Sequence, residues 1–222
     1  MTRMASRFSP NDAPSVIPIF PLPGALLLPR GRLPLNIFEP RYLVMIDDAM
    51  KADHRLIGMI QPSGDGGTRG CKKLFDIGCA GRITTLSETD DGRYLIGLSG
   101  ISRFRVVQEV EGFAPYRQAQ VKWDEFALDI KTPREDGEDF DRDAFLANVE
   151  RYFQAKSLDT DWDAFGKASE ETIVNALCMI CPFTEQEKQA LLEAEDLSAR
   201  RKSLDILLTI DAAGDEGSGG LQ

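Results

Sequence analysis

The chain has 222 residues, 42% hydrophobic and 28% charged, with 26 Lys+Arg against 36 Asp+Glu for a formal charge of −10. That length suits one large domain or two small ones and can bury a core without disulfide or metal staples. The composition excludes a disordered or fibrous chain, and the acidity argues against indiscriminate binding to nucleic-acid phosphates or anionic membranes.

Cys71, Cys79, Cys178 and Cys181 are too few, and wrongly spaced, for a secreted disulfide scaffold. The first residues carry Arg3 and Arg7 but no apolar block before Pro10, so no signal peptide is expected. No apolar run reaches the ~18 residues of a membrane span. A cytoplasmic location is the expectation.

The charge is unevenly placed. Residues 1–125 hold 16 basic and 14 acidic side chains, a net +2, and residues 126–222 hold 10 and 22, a net −12. Such a shift often marks a change of module. The polar stretch from Lys131 to Asp139 reads as a linker, and the organisation expected is a flexible start over 1–14, a β-rich part over 15–125, a linker over 126–139, a helical part over 140–211 and a disordered tail over 212–222.

In chain order, Val16–Phe20, Ala25–Leu28 and Leu33–Phe38 read as short extended segments cut by Pro18, Pro21, Pro23, Pro29 and Pro34. Proline lacks an amide donor, so such strands belong at edges or stop abruptly. Pro40 opens a helix to about Ala52, standing in the first turn where proline is tolerated. Strands follow at Arg55–Gln61, Gly81–Glu88, Arg93–Ser99, Ile101–Val110 and Arg117–Trp123, with Asp90-Asp91-Gly92 as a hairpin turn. This density predicts an antiparallel sheet or small barrel.

Beyond the linker the period becomes 3.6. Helices are expected over Phe140–Lys156, over Ser169–Cys181 ending at Pro182, from the capping box Thr184-Glu185-Gln186-Glu187 to Glu195, and from Asp196 or Ser198 to Ile210. Four helices with short connections predict an antiparallel bundle.

Few residues in the sequence point to chemistry. Gly64 to Lys72 has the wrong spacing for a phosphate-binding loop, with Cys71 where lysine is required. His54 is the single histidine, and Gly97-Leu98-Ser99-Gly100 lacks the last glycine of a nucleophile elbow, leaving a Ser99–His54 hydrolase as the weakest alternative. Cys178 and Cys181 sit at a helix carboxyl end, where the dipole disfavours thiolate, and read as buried apolar side chains. No metal ligands, cofactor site or catalytic residues are assigned.

The segment Ile17-Pro18-Ile19-Phe20-Pro21-Leu22-Pro23-Gly24 continues into Asn36-Ile37-Phe38-Glu39-Pro40-Arg41-Tyr42, then Gly100-Ile101-Ser102-Arg103-Phe104-Arg105, and later Pro182-Phe183-Thr184 and Arg200. In that order these resemble the amino-terminal substrate-binding domain of Lon, the ATP-dependent protease, over about residues 15–211. The resemblance implies an α+β fold, a β-rich PUA-like pseudo-barrel followed by a four-helix carboxyl-terminal bundle. It implies a stand-alone domain without ATPase or protease modules, non-catalytic, that binds unfolded or partly folded proteins and peptides as an adaptor or chaperone-like protein in quality control. A protease or chaperone ATPase is a further partner so implied. Because PUA-like barrels often bind RNA, an RNA-binding protein is the alternative, although no basic stripe with interleaved aromatics supports it.

A sheet edge with an apolar groove suits unfolded polypeptides, and the Pro-interrupted strands over 16–38 are candidates for that edge. Phe38, Tyr42 and Phe104 are the candidate pocket, with Glu39, Arg41 and Arg103 at its rim. The competing reading makes Phe38 and Phe104 core residues and gives Glu39 an arginine partner at the helix start.

Overall fold

The computed structural model describes residues 13–64, 73–130, 140–160 and 162–216. Cys71, the glycine-rich loop from 65 on, the linker over 131–139 and the extreme termini lie outside the described residues. The described chain divides into two compact units: the strand-rich part with Pro182–Leu192, and the remaining helices.

The first unit contains β1 (Val16–Pro21), β2 (Arg32–Ile37), α1 (Pro40–Lys51), β3 (Leu56–Ile60), β4 (Ile77–Glu88), β5 (Tyr94–Val110) and β6 (Gln118–Lys122), and it also takes in α5 (Glu185–Glu193) up to Leu192. The sheet order is β2-β5-β4-β3-β1-β6, and β5 pairs again with β6. Five strands therefore close into a ring, a pseudo-barrel, and β2 lies outside it along the first half of β5. The 17-residue length of β5 makes this possible: Tyr94–Ser99 pairs with β2, and Arg105–Val110 pairs with β6. All pairings are antiparallel except β1 with β3.

Alternation places Ile17, Ile19, Leu56, Ile60, Ala80, Phe104, Ala119 and Val121 in one buried cluster with Trp123. Phe104 is fully buried at its centre, with its ring edge-on to Trp123 at 6.0 Å. Glycines make room for it: a Cβ at Gly78 would lie 2.5 Å from Phe104 Cζ, and one at Gly58 would lie 2.8 Å from the same atom.

The segment Ala25–Leu28 forms no strand. Leu26, Leu27 and Leu28 are buried, and the backbone passes so close over β5 that a Cβ at Gly100 would stand 2.0 Å from the Leu28 carbonyl oxygen. Hydrogen bonds from Arg30 N to Gly100 O (2.8 Å) and from Gly100 N to Gly31 O (2.9 Å) fix this crossing. The expected hairpin at Asp90-Asp91-Gly92 is present, with Gly92 at φ 75° and Thr89 N donating to Arg93 O.

The capping box at Thr184 forms as expected, Thr184 N donating to Glu187 Oε2 at 2.8 Å and Glu187 N to Thr184 Oγ1 at 3.3 Å. Helix α5 then binds within the strand-rich unit: Lys188 Nζ donates to Gly24 O (2.8 Å), Gln189 Nε2 to Ile77 O (3.1 Å) and Gln61 Nε2 to Glu185 O (3.2 Å). Residues 126–130, expected in the linker, are also packed here, with Phe126 and Asp129 buried.

The second unit contains α2 (Arg142–Ala155), α3 (Trp162–Lys167), α4 (Glu170–Ile180) and α6 (Leu197–Glu216). Asp141, Ser169 and Asp196 cap α2, α4 and α6 by accepting from Ala144 N, Thr172 N and Ala199 N. Its core includes Phe145, Val149, Tyr152, Phe153, Ile173, Leu177, Leu204 and Leu208. Cys178 and Cys181 are buried here too. The short helix α3 is absent from the sequence reading; six residues give too little periodicity, and its Trp162 and Phe165 pack on Phe153 at 5.6 and 6.4 Å. Helix α6 continues to Glu216, beyond the expected end at Ile210. Among the described residues no helix is long and apolar enough to cross a membrane.

Candidate functional site

The six sequence-predicted residues separate into two groups. Phe38 and Arg41 are exposed and Glu39 is half-buried at the junction of β2 and α1, with Phe38 62% accessible. Tyr42 turns inward from the same junction and packs on Phe20, ring centroids 4.2 Å apart. Burial, partly offset by the Arg41 guanidinium, raises its phenol above the ordinary range. Arg41 pairs with Glu39 at 2.8 Å and covers the Tyr42 ring at 4.5 Å. That surface pair orders the helix start at a worth of about 0–1 kcal/mol.

Phe104 and Arg103 do not join them. Phe104 is fully buried, as above, and cannot line an open pocket. Arg103 is 5% accessible: its Nε and Nη2 grip both oxygens of Asp129 at 2.9 Å, its Nη1 donates to Leu192 O at 3.2 Å, and its guanidinium lies 4.8 Å from the Phe126 ring centroid. A place at the pocket rim would have turned Arg103 toward solvent. The 127–130 turn and the end of α5 cover that face, so Arg103 is an internal clamp rather than a rim residue.

Nor are the strands over 16–38 uniformly edges. β1 lies between β3 and β6, while β2 pairs with β5 alone among the described strands. Pro34 removes an amide from that edge, which blunts strand addition. What β2 does offer is its outer face. Register places Pro34 beside Gly97 and Thr85, and Asn36 beside Leu95 and Ser87. Phe38 continues the row with its ring 5.9 Å from the Arg93 guanidinium. Leu95, 47% accessible, shares this face with Phe38 and was missed by the sequence reading. The Thr85 side chain fills the space over Gly97, where a Cβ would stand 2.5 Å from Thr85 Oγ1, and Phe38 and Leu95 flank it as exposed apolar side chains.

Polar bonds tie α1 to β5 and to the β5–β6 connection. Tyr94 Oη donates to Asp47 at 3.1 Å, and Tyr116 Oη donates to Asp48 at 3.0 Å. The Lys51 ammonium and the Tyr116 hydroxyl hold the Asp48 carboxyl below the usual range, while burial and Asp48 push Tyr116 up to about 12.

The Ser99–His54 pair is not assembled. His54 Nδ1 accepts from Leu56 N at 3.1 Å, closing the turn after α1, and no hydrogen bond links it to Ser99. Burial, aided by nearby Arg82 and opposed by Asp53, lowers the His54 pKa. Its neutral form therefore stabilises the fold above about pH 6.5, and that contribution is lost as pH falls through the depressed folded value. We expect the melting temperature of the parent to fall more between pH 7.5 and 5 than that of His54→Asn, which keeps an acceptor but does not titrate. Parallel profiles would contradict this.

The family profile for the ATP-dependent protease La (LON) substrate-binding domain matches residues 16–209, nearly all of the described chain. The chain belongs to the Lon substrate-binding domain family. Among relatives of this Lon-type domain, Lon protease 2 of Myxococcus xanthus is 31% identical over 202 residues, 86% of this chain and 23% of that protein. Lon protease of Syntrophus aciditrophicus is 26% identical over 206 residues, 88% of this chain and 25% of that protein. The Lon-type domain thus spans about a quarter of the length of these relatives. Solved structures share the fold: a Lon N-terminal domain protein from Xanthomonas campestris (TM-score 0.57, 24% identity, 87% of this chain and 97% of that one) and the N-terminal domain of a Mycobacterium avium complex Lon protease (TM-score 0.59, 14% identity, 87% and 98%).

Proposed function

We propose that this Lon-type domain is a non-catalytic polypeptide-binding module that holds unfolded segments and presents them to a protease or chaperone ATPase. The observation that carries the reading is the outer face of β2 and β5, where Phe38 and Leu95 stand exposed on the same face as Pro34. Unfolded chains differ from folded ones by their exposed apolar side chains, and an open apolar face binds these without needing one sequence. Pro34 limits main-chain pairing, so affinity comes from side chains, with Arg41, Glu39 and Arg93 around the rim.

Both apolar residues are exposed, so replacing them leaves the core intact. The double variant Phe38→Ser/Leu95→Ser is expected to weaken binding of reduced, carboxymethylated α-lactalbumin by roughly tenfold or more in an anisotropy titration, following the loss of two apolar contacts. Its melting temperature should match the parent's. Unchanged affinity would refute the assignment of this face.

A further inference from the structure

The connection between β5 and β6 carries a second feature. Phe113 projects wholly into solvent at its tip, and beside it lies a pocket of about 320 Å³ whose walls include Glu109, Val110, Glu111, Tyr116 and Arg117. The charges in this pocket are not balanced. Arg117 is committed to Glu109, with Nε 2.7 Å from one oxygen and Nη2 on the other, whereas Glu111 is exposed and pairs with no cation among the described residues. Among the described residues, the pocket therefore holds one carboxylate without a cation partner; Phe113, between the lining residues Gly112 and Ala114, is not part of its wall. Tyr116 does not supply the missing partner, because its hydroxyl donates to Asp48.

We infer that this hairpin pocket is a subsite for a lysine or arginine side chain of a bound polypeptide, giving the module a preference for segments that are both apolar and basic. The inference rests on the polypeptide-binding reading above and adds a specificity to it. The volume accommodates a long cationic side chain, whose alkyl part lies along Val110 while its head meets Glu111. Phe113, at the tip of the same connection, leaves an exposed apolar side chain for neighbouring residues of the segment.

The test uses the full chain and two fluorescein-labelled peptides, Gly-Ser-Phe-Leu-Arg-Phe-Leu-Arg-Gly-Ser and its twin with both arginines replaced by glutamine. At low salt the arginine peptide should bind roughly three- to tenfold more tightly. Glu111→Gln should abolish that difference. Phe38→Ser should weaken both peptides alike. Raising salt to about 0.5 M should shrink the difference, since an exposed ion pair is screened. Equal binding of the two peptides by the parent, or an unaltered preference in Glu111→Gln, would overturn the subsite while leaving the polypeptide-binding reading intact. Failure of both peptides to bind would overturn both.

Discussion

Arg103→Ala is expected to destabilise the strand-rich unit by about 3–5 kcal/mol, the usual cost of leaving a buried carboxylate without its cation. Asp129 would keep its burial and lose two charge-assisted hydrogen bonds, and Leu192 O would lose its donor. Three pieces of chain distant in sequence meet at this guanidinium: β5, the turn around Asp129 and the end of α5. Arg30 Nη1 also donates to Asp129 O, so the turn is held from two sides. Arg103→Lys should recover only part of the loss, because an ammonium cannot reproduce the planar fork. Arg103→Met combined with Asp129→Leu should cost less than either single change, since no uncompensated charge remains. The readout is thermal unfolding, where Arg103→Ala should fall by roughly 10 °C or more. A shift within about 2 °C would show that the clamp contributes little.

Gly100→Ala should be as damaging for a different reason. Its Cβ would stand 2.0 Å from Leu28 O and 2.8 Å from Leu28 C, both backbone atoms that no rotamer change can move aside. Relief requires lifting the 25–31 segment off β5, breaking the two hydrogen bonds at the crossing and exposing Leu26, Leu27 and Leu28, all buried. A cost of about 3 kcal/mol or more is expected, at the upper end for overpacking. Gly112→Ala is the control: its nearest atom would be Gln118 Oε1 at 3.9 Å, and it should change stability by less than about 0.5 kcal/mol. Equal melting temperatures for the two variants would contradict the close crossing.

Elements with local punctuation were legible in the sequence. Pro40 marks the start of α1, Asp90-Asp91-Gly92 marks the β4–β5 turn, and the Thr184 box marks α5, because each acts through atoms a few residues apart. The segment 25–28 was not legible as a buried loop, because its apolar run looks the same in a strand. Arg103 was misplaced for a related reason. Alternation reports which side of a strand a residue takes, and it cannot report that a turn and a returning helix cover that side.

The candidate surface was legible only as far as the chain is contiguous. Phe38, Glu39, Arg41 and Tyr42 lie within five positions and share one corner of the fold, although Tyr42 faces inward there. Leu95 reaches the same face through the β2–β5 register, a pairing across some sixty residues that no local pattern encodes. Phe113 was missed because a lone aromatic in a turn carries no period, and only its complete exposure distinguishes it.

The most direct test of the central claim is amide chemical-shift mapping of the full chain, titrated with reduced, carboxymethylated α-lactalbumin. Shifts are expected at Asn36, Phe38, Leu95 and Gly97, with the buried Arg103 and Phe104 of the same strand unaffected. Perturbations confined to the second unit, or none at saturating polypeptide, would contradict it.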